Sequence, residues 1–213
     1  SGGTESNNLA IRGLLLRAGA SSPPSSRPAH LIISAVEHPS ITALANELQR
    51  NGHELDVIPV DAHGVIRVEC LEKLLKPNTS VVAAIKGQNE TGVLQPIAEL
   101  AEICSRHHVP LHTDAAQVAG KIPVNFHTMG APTMTVAAHK FHGPIGIGAL
   151  VIRERVELLP QFFGGFQQGG IRPGTESLAL VAGMHRALDL GYPIMIQAST
   201  VLDCASARRG CAS

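Results

Sequence analysis

Between residues 30 and 154, apolar runs of strand length alternate with apolar residues at helical spacing. Leu31 to Val36, Leu55 to Val60, Ser80 to Ile85, the run ending at Leu111, Met134 to Ala138 and Ala149 to Arg153 read as strands, rich in β-branched residues and bounded by polar loops. Ile41, Leu44, Ala45 and Leu48 mark the buried face of a helix that Pro39 starts and Asn51-Gly52 ends. Val68 to Leu75 reads as a short helix stopped by Pro77. Pro96 starts another through Ile97, Leu100, Ala101 and Cys104, whose spacing makes Cys104 a core residue rather than a nucleophile. Leu9, Ile11 and Leu14 to Leu16 predict a helix near the beginning, and Leu178, Leu180, Met184 and Leu188 one near the end with Thr175 as its N-cap. The alternation implies an α/β fold of three layers, a mainly parallel sheet with helices on both faces.

Open sheets of this kind bind ligands beyond the carboxyl ends of their strands, so the polar residues there are the candidates. Asp114 follows the run ending at Leu111, and His139-Lys140 follows Met134 to Ala138. A carboxylate and a lysine on one rim are what a pyridoxal phosphate enzyme needs, the lysine as Schiff base and the acid to keep the pyridine nitrogen protonated. His38 and the polar loop Gly87 to Gly92, which contains Asn89, stand at two further strand ends. A lone histidine in such a place is also a common structural residue, and its position alone does not choose. Gly2-Gly3-Thr4 offers free N–H groups, a hydroxyl and the positive end of a helix to an anion, or else Thr4 simply caps that helix with Glu5 in its first turn. The glycines of Gly143 to Gly148 lack dinucleotide-loop spacing and precede a strand, which favours a close backbone approach beside Lys140.

Composition narrows the classes further. Hydrophobic residues make up 44% and charged ones 16%, which suits buried parallel strands. Lys plus Arg and Asp plus Glu number 17 each without a basic face, so neither nucleic acid nor an anionic membrane is an expected partner. No run approaches the roughly 20 apolar residues of a membrane helix, no secretory leader is evident, and the expectation is a soluble cytoplasmic protein. The 4 cysteines show no CxxC spacing and read as reduced thiols. Among the 11 histidines, His107-His108 with His112 and His139 with His142 invite a metal reading. Pro110 breaks any shared helical face in the first, and no acid or cysteine cluster completes either, so no metal site is expected.

Taken in order, GGTE, EHPS, QNETG, TDAAQ, AAHK and RPGTE resemble the cysteine desulfurases, the NifS/IscS-like branch of the class V aminotransferases, over residues 1 to about 190. The resemblance implies the fold type I architecture of pyridoxal-phosphate-dependent transferases, of which this would be the large domain. It implies conversion of L-cysteine to L-alanine, with the sulfur left on an enzyme cysteine. Lys140 would carry pyridoxal 5'-phosphate and move the substrate's protons, Asp114 would pair with the ring nitrogen, and His38 would stack on the ring. Asn89 and Gln117 would hydrogen-bond the phenolic oxygen, while Gly3, Thr4 and His139 would hold the phosphate. Thr175 would reach the phosphate of a neighbouring subunit, so the resemblance also implies a homodimer. A sulfur-acceptor protein, as in iron–sulfur cluster assembly, comes with the same family. Selenocysteine lyase or another class V lyase fits these residues equally, and a non-catalytic cofactor-binding or dimer-forming remnant is the alternative from a different class.

The chain also departs from the family pattern. Ala137 stands where Ser or Thr commonly donates to the phosphate, and Ile145 where Lys is common. The nucleophilic cysteine and the arginine that grips the substrate carboxylate are expected in a C-terminal small domain that these residues do not include. Cys204 and Cys211 are then incidental, and the 213 residues alone are expected to show weak or no desulfurase activity. The expected organisation is a large domain over residues 1–190 without its N-terminal start, followed by an aberrant or disordered tail over 191–213, where breakers interrupt any apolar period.

Overall fold

A computed structural model gives the structure of residues 1–20, 28–191, 194–195 and 199–203. Cys204, Cys211 and most of the Pro/Ser loop that begins at Ser21 lie outside the described residues. Seven strands form one sheet, in the order β2 (Glu54–Ile58), β1 (His30–Ser34), β3 (Thr79–Ile85), β4 (Leu111–Asp114), β6 (Thr133–Ala137), β7 (Gly148–Arg153) and β9 (Ser199–Asp203). The first five run parallel, and β7 is antiparallel to both its neighbours. From β1 the chain moves outward to β2 and then returns to place β3 on the other side of β1. This reversal opens a crevice at the carboxyl ends of β1 and β3.

Alternation along the strands separates two cores. Leu31, Ile33, Val81, Ala83, Leu150 and Ile152 face α1 (Gly3–Ala20) and α2 (Pro39–Arg50). The intervening Ile32, Val82, Ala84, Ala149 and Val151 face α3 (Leu71–Leu74), α4 (Ile97–Arg106) and α6 (Leu178–Leu190). The expected three-layer arrangement is therefore observed, each face of the sheet being covered because each is apolar. The helix boundaries follow local chemistry. Pro39 occupies the first turn of α2, and Asn51 ends it with its N–H on the carbonyls of Glu47 and Leu48.

The structure corrects several boundaries. Helix α1 begins at Gly3, with the Ser6 N–H bonded to the Gly2 carbonyl at 3.1 Å, so Thr4 lies inside the first turn and is not its N-cap. Thr175 does not cap α6, which begins at Leu178 after Ser177. The stretch Val68 to Leu75 divides into a 3-10 turn and the four-residue α3. A strand β5 (Val124–Asn125) and a helix α5 (Phe126–Met129), too short to show a period, intervene before β6. The Asn125 side chain accepts from the N–H groups of His127 and Thr128 to start α5, and the Arg153 guanidinium binds the carbonyls of Phe126, His127 and Ala131. Pieces of the tail expected to lack regular structure are strands: β8 (Ile194–Met195) pairs with β5, and β9 pairs with β7. No helix among the described residues is long and apolar enough to cross a membrane.

Gly148 opens β7 directly against the loop that leads into α1. A methyl group added there would stand 2.8 Å from the Val136 carbonyl oxygen and 2.9 Å from Gly2 Cα, both backbone atoms that cannot rotate away. Gly148→Ala is expected to cost about 1–3 kcal/mol through overpacking. Urea unfolding of the variant beside the wild type measures this, and equal midpoints would show that the loop yields freely.

Candidate functional site

The loops that follow β1, β3, β4 and β6 converge with the start of α1 on one cleft of about 140 Å³. Gly3, Thr4, His38, Asn89, Asp114, Gln117, His139 and Lys140 all line it. Eight of the nine residues singled out from the sequence are thus brought together. The ninth, Thr175, is exposed and does not line the cleft. Ala137 lines the wall where a hydroxyl residue was the family expectation, and Ile145 is 85% exposed.

Asp114 is the best-defined group. It ends β4, buried to 4% exposure, with Oδ1 accepting from the Ala116 N–H at 2.9 Å and Oδ2 from the Asn7 side-chain amide at 2.7 Å. Both donors are neutral, and burial raises the pKa against these bonds and the nearby His38 and Lys140. A carboxylate with no hydrogen-bonded cation among the described residues, opening on a cleft, suits a protonated nitrogen entering that cleft. His38 is the N-cap of α2, its Nδ1 accepting from the Ser40 N–H at 3.1 Å and bonded to Ser40 Oγ at 2.8 Å. Lys140 is half-buried in the 3-10 turn after β6. Gln117 differs from its expected free role in that its Oε1 accepts from Lys121 Nζ at 2.9 Å.

Glu37 was not singled out from the sequence. It is buried behind His38, with Oε1 accepting from Ser34 Oγ and, at 2.7 Å, from the Ile85 N–H. Burial pushes its carboxyl up to about 8, reinforced by the charge of Asp114. Burial thus pushes both Glu37 and Asp114 toward the protonated form, with the charge of Asp114 a further cause at Glu37. Asn7 and Ser40 were also passed over and His112 was weighed only as a metal ligand, although each is buried at or beneath the cleft. The signal available was an unbroken polar run, His112-Thr113-Asp114, closing an apolar strand, of which His112 and Asp114 fall on the face where α1 packs.

The model of the aminotransferase class-V family matches residues 1–200. The chain belongs to that family. The similar curated relatives of this class-V chain include the cysteine desulfurase IscS of Dictyoglomus turgidum, 38% identical over 89% of this chain and 47% of the relative. The cysteine desulfurase of Homo sapiens is 40% identical over 92% of this chain and 42% of its own length. The class-V chain thus spans less than half the length of these curated relatives. Among solved structures, SspA in complex with cysteine superposes with a TM-score of 0.82 at 33% identity, covering 89% of this chain and 54% of that one. A NifS-like protein gives 0.81 at 31%, covering 89% and 51%. The class-V chain therefore has the fold of the pyridoxal-phosphate-dependent transferases to which cysteine desulfurases belong.

The raised carboxyl of Glu37 has a pH signature in this class-V chain. Folded Glu37 keeps its proton up to about pH 8 whereas the unfolded side chain ionises near 4.5, so the folded state binds the extra proton in that window and stability falls as pH rises through it. Glu37→Gln removes the proton exchange while keeping an acceptor for Ser34 and Ile85. The variant is expected to gain on the wild type by roughly 1 kcal/mol per pH unit between about pH 5 and pH 8. Guanidinium unfolding at several pH values reads the difference, and a pH-independent one would mean that Glu37 is ionised throughout.

Proposed function

We propose that these residues form the cofactor-binding part of a pyridoxal-phosphate-dependent cysteine desulfurase, which converts L-cysteine to L-alanine and leaves the sulfur on an enzyme cysteine outside the 213 residues. One observation carries the reading: buried Asp114, served among the described residues only by neutral hydrogen-bond donors, shares a cleft with the amine of Lys140. The relatives named cysteine desulfurase and the neighbour described in complex with cysteine support the choice of substrate.

The residues present fit the cofactor. Asp114 would face its ring nitrogen, His38 would lie against the ring, and Lys140 would be the point of covalent attachment. Asn89 and Gln117 would serve the phenolic oxygen, which asks Gln117 to exchange its bond to Lys121. Gly3 and Thr4 would offer the phosphate the N–H groups of the first turn of α1, which have no acceptor within the helix, and His139 would add a further donor. With Ala137 in place of a hydroxyl residue, that helix terminus bears more of the anchoring. Thr175, at the surface, would act across a homodimer interface.

When bound, pyridoxal phosphate supplies an electron sink for the bond broken at the substrate's α-carbon. Asp114 keeps that sink effective by holding the proton of the ring nitrogen through a charge-assisted hydrogen bond. Lys140 Nζ would be placed to take the proton from the substrate's Cα. After an enzyme thiolate has taken the sulfur and the C–S electron pair has stayed with the carbon side, it would deliver the protons at Cβ and Cα that complete alanine. The described cysteines do not act as nucleophiles in this reading. Cys104 is 2% exposed in the core and burial pushes its thiol up to about 12, while Cys70 is at the start of α3, away from the cleft.

Incubation with pyridoxal phosphate followed by borohydride reduction should leave the cofactor on the peptide containing Lys140. Lys140→Ala should carry none there, by peptide mass spectrometry. A protein that carries this chain together with the family's small domain should release L-alanine from L-cysteine only with Lys140 intact. Cofactor retained on another residue, or alanine release undiminished in Lys140→Ala, would overturn the assignment.

A further inference from the structure

The cleft is the open end of a polar network that continues beneath α1. Period-two alternation points His112 and Asp114 of β4 toward that helix, and the register places Thr133 and Thr135 of β6 beside them. Ser6 and Asn7 cover these four, and all six side chains are buried. Asn7 Nδ2 donates to Asp114 Oδ2 at 2.7 Å and to Ser40 Oγ at 2.8 Å, while Asn7 Oδ1 lies 2.9 Å from His112 Nε2. His112 Nδ1 lies 2.9 Å from Thr133 Oγ1. Ser40 Oγ lies 2.8 Å from His38 Nδ1.

Hydroxyl rotors, amide orientations and imidazole tautomers could in general run such a chain in either direction. Here one member has no choice. The Ser40 main-chain N–H points at His38 Nδ1 at 3.1 Å, so that nitrogen is an acceptor and carries no hydrogen. Ser40 Oγ, facing the same nitrogen, must supply its own hydrogen, and its lone pair then receives Asn7. The amide nitrogen of Asn7 is thereby fixed toward Ser40 and Asp114, and its oxygen toward His112. His112 Nε2 must carry a hydrogen to serve that oxygen, and in the neutral ring Nδ1 is left to accept from Thr133. Burial holds His112 neutral by taking its pKa down to about 3.

We infer that Asn7 is a positioning residue that couples Asp114 to His38, and that a single main-chain N–H at the start of α2 sets the hydrogen-bond direction of the whole relay from His38 to Thr133. The relay keeps Asp114 Oδ2 an acceptor, against the tendency of burial to protonate it, and keeps the neutral His38 ring hydrogen on Nε2. Its relevance to catalysis rests on the cofactor reading above, while its existence does not.

Long-range proton–nitrogen correlation NMR on the histidine-labelled protein without cofactor tests the relay, with His38→Ala and His112→Ala providing the assignments. His112 and neutral His38 are both expected as Nε2–H tautomers. Asn7→Leu should release His112 from that tautomer, and Ser40→Ala, which removes the hydroxyl link between His38 and Asn7, should shift His38 and also loosen the His112 tautomer. An Nδ1–H or charged His112 in the wild type near neutral pH would overturn the inference even if no variant folds, as would a His112 tautomer indifferent to a folded Asn7→Leu protein. In the cofactor-loaded protein, Asn7→Leu should weaken cofactor binding about tenfold or more, as expected for losing a hydrogen bond to a charged group. Failure of the wild type to attach cofactor at Lys140 would remove the cofactor reading without touching the tautomers.

Discussion

The constraint on which the cleft depends is the cost of holding a carboxylate inside protein. Asp114 is carried to the end of a buried strand, where water cannot solvate it, and an ionised group in that position must be matched by donors or give up its charge. Main chain and α1 each provide one donor, through the Ala116 N–H and Asn7. Neither carries charge, so the site is balanced short of neutrality, and the remaining attraction is directed at whatever cation enters. Nearby Glu37 shows the other solution, a carboxyl that stays neutral. Burial raises both carboxyls, and of the two it is Asp114 that lines the cleft.

The fold provides this arrangement through the two-sided character of the sheet. Most of the α1 and α2 face is packed with Leu, Ile, Val and Ala, and the same alternation that buries them also buries His112, Asp114, Thr133 and Thr135 as a polar seam under Asn7. A polar seam in a core is tolerable only if its members satisfy one another, and Asn7, with two donors and an acceptor, is the residue type able to close it. The ion pair between Arg172 and Glu5 at 2.7 Å ties the RPGTE loop to the first turn of the same helix. There burial acts to raise the Glu5 carboxyl, and the hydrogen bonds from Arg172 and Ser1 hold it below its ordinary value instead. Helix α1 is therefore fixed from below by neutral hydrogen bonds and at its exposed end by charge.

Much of this was legible in the residues. Strands announce themselves by β-branched runs, Pro39 marks a helix start by its geometry, and chemistry placed just after a strand must fall on one rim, which located His38, Asn89, Asp114 and Lys140 together. What escaped was of two kinds. Elements such as α5 are too short to complete a period, and their boundaries are set by tertiary partners such as Arg153. Asn7, Ser40, Glu37 and His112 escaped because a polar residue that is satisfied inside a core looks, along the chain, like one that faces water. Only the pairing of β4 with β6, and the seating of α1 upon them, distinguishes the two.

The contact between Gly148 and Gly2 separates two things that are usually entangled in a binding loop. The path of the loop into α1 is held by main chain lying on main chain where Gly148 opens an antiparallel strand, with the Thr135 and Ala137 side chains against Gly3. The loop's location is in effect inherited from the sheet, which leaves its side chains free to be exchanged. Within such a scaffold, the side chains at the start of the helix can change what is recognised without relocating the place where recognition happens.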